Sequence, residues 1–395
     1  MKGSTIMLVS RFLQIHSLHS YPAALLNRDD SGLAKRMPFG GAVRTRISSQ
    51  CLKRHWRTAD DDYAIHNIPN AAKAIRSRNV IDRKVIQPLR EGGGIDEEVL
   101  SAVEEAFNIG VYGSSGTSES GRQPLLLGLP EVSYLRDKAD AICRAHAQDA
   151  KAAGQSAKDL FGKEERDNFK AFRQETALPG GLESALFGRM VTSDPAANID
   201  AAVHVAHAFT VHREESESDY FSVVDDLQGD DEDAGAAHIG DTELTAGLFY
   251  GYVVVDVPGL ISNLQGCEAQ AWQSADRSLG AQVVKHLIHL IATVSPGAKL
   301  GSTAPYSYAD LILIEIGTRQ PRSLANAFRS PSSAQTAAAA AALAGYLTQL
   351  DNAYGVREAR RVMSVADCDI PNADRLCLDD LAAWTAGAVQ SGEAA

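Results

Sequence analysis

Residues Leu26–Arg57 read LNRDDSGLAKRMPFGGAVRTRISSQCLKRHWR. Gly40-Gly41 marks a turn, Val43–Ile47 alternates as a strand with Arg44 and Arg46 on one face, and Ser48 or Ser49 can N-cap a helix running to Arg57. On that helix Gln50 and Arg54 are four apart, as are Lys53 and Arg57, so each pair is adjacent on the surface. Between Arg28 and Arg57 stand eight Lys/Arg and two Asp, a local +6 in a chain that is formally −12, leaving −18 for everything else. Positive charge confined to one strip suits a track for a phosphate backbone, whereas an indiscriminate polyanion binder would spread it. Guanidinium forks, ammonium groups and the amides of a helix N-terminus supply the contacts.

Outward from this strip, Phe12–His19 alternates as a strand, with Leu13 and Ile15 on one face and Gln14 and His16 on the other. Ala59–Pro179 reads as a separate, mostly helical subdomain, in which Gly113–Gly121 has linker composition. Leu182–Val257 returns to strand character through ALFGRMVT, the apolar stretch Ala201–Val211 and LFYGYVVVDV. Leu279–Val294 has helical apolar spacing, Leu311–Ile316 is a buried strand, and Ala337–Ala342 belongs to an alanine-rich helix, after which the acidic last residues should fray. Strand, helix, strand, strand, helix, strand across 12–57, 182–257 and 279–316 fits an α+β fold, a split βαβ sheet with helices on one face. That is the ferredoxin-like layout of RNA-recognition folds.

At 395 residues, 45% hydrophobic and 22% charged, the chain should form two to three globular units. Five scattered cysteines without a C-x-x-C pair suit reduced thiols, Arg11 interrupts the apolar run Ile6–Val9, and no membrane-length apolar stretch occurs. A soluble, cytoplasmic protein with no membrane association is expected.

Other constellations compete weakly with the strip. Asp29-Asp30 could present carboxylates to a metal ion, as in a metal-dependent ribonuclease, but no third ligand is identifiable and capping of a local turn is the simpler role. His204 with His207, and His286 with His289, have i, i+3 spacing on expected helices but no acid or Cys at ligand spacing, so packed histidines are expected and no metal site. Glycine loops for nucleotides and a G-x-S-x-G elbow are absent, and neither cofactor nor catalytic residue is expected. Glu214–Asp233 holds ten Asp/Glu and no Lys or Arg, by composition a solvated loop, although Tyr220, Phe221 and Leu227 place apolar groups inside it. A general single-strand binder remains a third alternative.

LNRDD, FGG, RISSQ-x-LKR, GRM-x-TS, AHAFTVH…DYFSVVDDLQ…AHIG, G-x-FYGY, PGAK and LANAF occur in this order over 12–57, 182–256 and 283–329. In these motifs the chain resembles the Cas-seven family, in particular the CasC type of backbone subunit of the type I-E CRISPR Cascade surveillance complex. The resemblance implies a hand-shaped protein with an RRM-like palm in three parts (1–57 with the guide strip, 182–213 and 244–330), helical fingers (58–181), a thumb hairpin (214–243) and a C-terminal helical segment (331–395). It implies a non-catalytic subunit that oligomerises along the crRNA, about six copies head to tail, and displays the guide for pairing with a target DNA strand. Large, small, guide-end-binding and guide-processing Cascade subunits are the other implied partners. Arg28, Lys35, Ser48, Gln50, Lys53 and Arg54 match guide-phosphate positions, Lys299 a loop lysine near nucleic acid, Met190 a methionine against displaced bases, and Phe221 with Leu227 the thumb. Arg44, Arg46 and Arg57 extend the RNA-binding strip. Ala42, Val43, Leu300 and Gly301 depart from the family's polar or basic pattern, so fewer phosphate contacts are expected.

Overall fold

The computed structural model describes residues 8–69, 71–162, 180–191, 198–223 and 238–394. They form an α+β fold of two units, one comprising Met1–Ala64, Val205–Val255 and Ala281–Ala395, the other Ile65–His204 and Asp256–Gly280.

The first unit is built on a mixed sheet. Its strands are β2 (Phe12–Ala24), β3 (Arg36–Phe39), β4 (Ala42–Ile47), β8 (Ala208–Thr210), β9 (Glu215–Val223), β10 (His238–Asp256), β11 (Ala309–Gly317), β12 (Ala359–Ser364) and β13 (Ala373–Arg375). Their order runs β13-β12-β11-β2-β10-β8-β4-β3, with β9 also pairing β10. β11 is an interior strand, antiparallel to both β2 and β12 and buried almost throughout, which is why LILIEI is apolar on both faces apart from Glu315 rather than alternating.

Helices cover both faces of this sheet, where sequence order suggested one. Helix α10 (Thr336–Tyr354) lays Ala339, Ala340, Leu343 and Leu347 against Leu18, Leu311, Leu313 and Tyr250. Near the opposite face, α1 (Ser49–Thr58) brings Leu52 to Tyr21, Ile47 and Phe249, and His19 of β2 donates to the carbonyl of Ile291 on α8 (Ser278–Thr293) at 3.0 Å. A two-sided sheet explains why Gln14 and His16 are buried on the face opposite Leu13 and Ile15.

Those polar side chains join a buried network. Glu315 sits across from Gln14 and Arg360 in the ladder, receives Arg322 at 2.7 and 2.9 Å and Arg360 at 2.8 Å, and accepts from His16 at 3.2 Å. Burial opposes the Glu315 charge, but hydrogen bonds from His16 and Arg322 outweigh it and hold the carboxyl below its ordinary range. The C-terminal segment is therefore part of the sheet as well as helical, and its last residues are paired rather than frayed: β14 (Glu393–Ala394) lies antiparallel to β1 (Leu8–Val9).

The second unit packs α3 (Glu97–Tyr112), α4 (Leu129–Ala145) and α5 (Ala150–Leu160) around Val99, Val103, Phe107, Leu135 and Ala153. Asp96 and Asp149 cap α3 and α5, accepting from Glu98 N at 2.8 Å and Ala152 N at 3.0 Å. Strands β5 (Ala74–Ser77) and β6 (Leu125–Gly128) form a small antiparallel ribbon. Gly113–Gly121 is not a linker: it forms two short 3₁₀ turns, and a Cβ on Gly116 would lie 2.2 Å from the Asn108 carbonyl oxygen. In ALFGRMVT, Leu182–Phe187 is helix α6 rather than strand.

Candidate nucleic-acid interface

The strip folds as a hairpin followed by a capped helix. Phe39 pairs with Ala42, so Gly40-Gly41 is a two-residue turn with both φ positive, +61° and +74°. Gly40 is fixed by packing as well, since a Cβ there would fall 1.5 Å from the Arg329 carbonyl oxygen. Ser48 Oγ caps α1 by accepting from Cys51 N at 3.3 Å, and Ser48 N donates to Asn27 Oδ1 at 2.9 Å, tying the NRDD loop to the helix start.

The eight cations then take different roles. Arg44 is 0% exposed. Its guanidinium donates to the carbonyls of Thr210 (2.9 Å), His212 (3.1 Å), Phe328 (2.9 Å) and Phe39 (3.3 Å). This corrects its assignment as an RNA-binding residue: Arg44 bolts the hairpin to β8 and to the LANAF segment, with no N–H facing outward. Arg36 is likewise engaged, paired with Glu214 and Glu243.

Arg28, Gln50 and Arg54 are exposed, and Lys35, Arg46, Lys53 and Arg57 are half-exposed. Lys35, Arg46 and Arg54 gather about the N-terminus of α1. Arg46 N donates to the Lys35 carbonyl at 2.8 Å, and the charges of Arg46 and Lys35 reach His207 while those of Lys35 and Arg54 reach Cys51. Burial pushes the Cys51 thiol up to about 11 despite those two cations, so it is a neutral packing group. Burial also lowers Lys53.

His207 was not singled out from sequence for this site, and neither His204 nor His207 lies on a helix. Its Nδ1 accepts from Ser49 N at 3.0 Å, and burial, then Arg46 and Lys35, lower its pKa and keep it neutral. Two of the first three α1 amides are thus occupied, by His207 and Ser48, and Gln50 N stays open among the described residues. Only the folded contact between positions 49 and 207 could have shown this.

The PGAK loop stands beside the strip. Ala298 N donates to the Leu25 carbonyl at 2.9 Å, Gly297 N to His55 Nε2 at 3.3 Å, and Lys299 Nζ to Thr242 Oγ1 at 2.7 Å. Lys299 is half-exposed and is held toward β10.

Asp29 and Asp30 border an open depression with Lys35 and Arg46. Asp29 Oδ1 accepts from Ser31 N at 2.9 Å and Leu33 N at 3.0 Å, closing the loop. Among the described residues no three His, Cys, Asp or Glu side chains are grouped as a metal would need.

The acidic block is not simply a solvated loop. From Glu215↔Ala246 to Val223↔His238, β9 and β10 pair as two long antiparallel arms, and the Phe221 ring lies over Gly240, where a Cβ would approach it to 2.5 Å. Phe221 is 39% and Tyr220 65% exposed, while Leu227 lies outside the described residues. Met190, in the second unit, is 75% exposed beside the Arg189–Ile199 bridge.

Fold and site together define an α+β protein with a cationic cluster at a helix start, next to an acidic β-hairpin. The pattern of the CT1975-like proteins matches residues 13–384, and the chain belongs to that family. A solved structure described as "CRISPR RNA-guided surveillance complex, pre-nicking" is similar at 27% identity with a TM-score of 0.73, covering 94% of this chain and 99% of its own. Another, a "CRISPR RNA-guided surveillance complex", shares the fold at 24% identity and a TM-score of 0.64, again over 94% and 99%. No curated protein sequence matches. No helix among the described residues is long and apolar enough to cross a membrane.

Proposed function

We propose that the chain is a non-catalytic guide-RNA-binding backbone subunit of a CRISPR surveillance complex, of the Cas-seven kind and the type I-E class. The cationic cluster of Lys35, Arg46 and Arg54 about the start of α1 carries this proposal, in a chain whose family and fold are those just described. The cluster takes ribose-phosphate, with Arg28, Gln50, Lys53, Arg57 and Lys299 extending the track and Ser48 shaping it through the helix cap. Copies line up along one crRNA. The β9–β10 hairpin serves as the thumb with Phe221 and Leu227, Met190 packs on displaced bases, and the exposed guide pairs with a target DNA strand. Sequence is read by base pairing, and the protein holds shape and backbone. Large, small and guide-end subunits complete the assembly, which works in the cytoplasm.

Purification from a host expressing the neighbouring genes, followed by sequencing of the bound RNA, tests this. Uniform repeat-derived guides are expected. Heterogeneous cellular fragments, or no RNA, would overturn it.

A further inference from the structure

The β9–β10 hairpin is a long lever on a narrow root. β10 pairs with β8 at Phe249 and Tyr250, and with β9 from Ala246 out to His238, roughly 27 Å of arm at about 3.4 Å per residue. At the root, Thr245 Oγ1 donates to the Ala24 carbonyl and Glu214 N to the Val43 carbonyl, each at 2.9 Å. A tilt of roughly 10° there would carry the far end about 5 Å. A preorganised binding group tolerates about 0.5 Å.

Beyond the root the hairpin is gripped from two sides. Glu243 lies three residues further out than Ala246, roughly 10 Å along the arm. It accepts from Ala34 N at 2.6 Å and pairs with Arg36, whose guanidinium also pairs with Glu214 at the start of the other arm. One planar fork therefore spans both arms. Thr242, next to Glu243, points to the opposite face of the strand. There Lys299 Nζ donates to Thr242 Oγ1 at 2.7 Å.

The chemistry of Arg36 suits a brace better than a phosphate ligand. Its Nε is given to Glu214, its Nη2 to Glu243 and its Nη1 to the Ala34 carbonyl, so all three nitrogens are committed. The Glu214 and Glu243 side chains are only 18% and 10% exposed, and carboxylates so shielded from water need a cation. A guanidinium can meet two of them in fixed directions, as an ammonium point charge cannot.

We infer that Arg36 is a positioning residue for guide binding: it braces the β9–β10 hairpin through Glu214 and Glu243, and so sets where the hairpin meets the RNA without itself holding phosphate. The inference rests on the reading of the hairpin as a thumb over the guide.

The test uses the guide-bound complex purified from a host expressing the neighbouring genes, with 2′-hydroxyl acylation read along the bound guide and RNA titrations at several salt concentrations. One hairpin per copy should mark the wild-type guide at even intervals. In R36A the contrast between marked and unmarked positions should fall at least about threefold, the scale of one partly exposed ion pair. The slope of log K against log salt should stay as in the wild type, whereas a lost phosphate contact would lower it by about 0.7. E214Q/E243Q should lose the same contrast while binding RNA no more weakly, and R36A/E214Q/E243Q should be no worse than either, because the three side chains act as one unit. Melting temperatures within about 3 °C of the wild type are expected, since Arg36 is half-exposed. A slope lowered by about 0.7 in R36A would make Arg36 a phosphate ligand and overturn the inference, as would contrast lost in R36A but kept in E214Q/E243Q. Even marks that R36A leaves unchanged would overturn the brace alone. A wild-type guide without evenly spaced marks would overturn the thumb reading and the brace with it.

Discussion

Arg44→Met and Arg46→Ala should behave oppositely, although the two positions share a strand face. Removing the Arg44 guanidinium takes the donor from the buried carbonyls of Thr210 and Phe328, while the His212 carbonyl keeps Thr210 Oγ1 at 3.1 Å. At about 1 kcal/mol for each of these two groups, the low end of the range, the loss is about 2 kcal/mol. For a unit of this size that corresponds to a fall in Tm of roughly 4–8 °C. Arg46 is half-exposed, and its side chain makes one long bond, 3.3 Å to the Arg36 carbonyl. Its removal should move Tm by less than about 2 °C, yet weaken single-stranded RNA and lower the salt slope by about 0.7. Differential scanning fluorimetry of both variants, with RNA titrations at several salt concentrations, separates the two effects. An Arg44→Met protein that melts with the wild type and loses RNA affinity would refute the structural role given to Arg44.

Lys53→Ala with Arg54→Ala should weaken guide binding and flatten the salt slope by about 1.4 in the same titration; an unchanged slope would remove α1 from the track. Gly40→Ala should prevent folding or lower Tm severely, because its Cβ would meet the Arg329 carbonyl at 1.5 Å and its φ is +61°, whereas Gly41→Ala, with open space around it, should be far milder; yield and melting temperature report both. His19 is half-buried and neutral, its pKa lowered to about 4 by desolvation against the help of the Ile291 carbonyl. The unfolded chain therefore binds a proton that the folded one refuses between the ordinary value of 6.5 and about 4, and stability should fall with acidification through that window by up to about 1.4 kcal/mol per pH unit. In His19→Asn, denaturant unfolding between pH 7 and 5 should show a shallower dependence, and an identical slope would contradict the assignment.

Much of the strip was legible because its signals are local. A glycine pair, a period-two run and a serine before an amphipathic segment each act within a few residues, and the structure shows a two-residue turn, β4 and a Ser48-capped α1. Leu311–Ile316 was readable for a related reason: an apolar run of strand length has few places to go but a sheet centre. Composition misled where long-range pairing overrode it. The acidic segment contributes a strand, β9, because it finds β10, and the GSSGTSESG stretch is pinned by the close approach of Gly116 to Asn108.

From its sequence alone this chain reveals an α+β protein whose positive charge is concentrated near one helix start, since net charge and periodicity are properties of neighbours along the chain. Which of those cations stay at the surface was decided only by the tertiary structure. Arg44 and Arg46 are alike in type and alternation, yet Phe328 and Thr210 bring carbonyls to one and leave the other beside His207 at the surface. A buried guanidinium must find acceptors or not be buried at all, and those acceptors come from segments more than a hundred residues away.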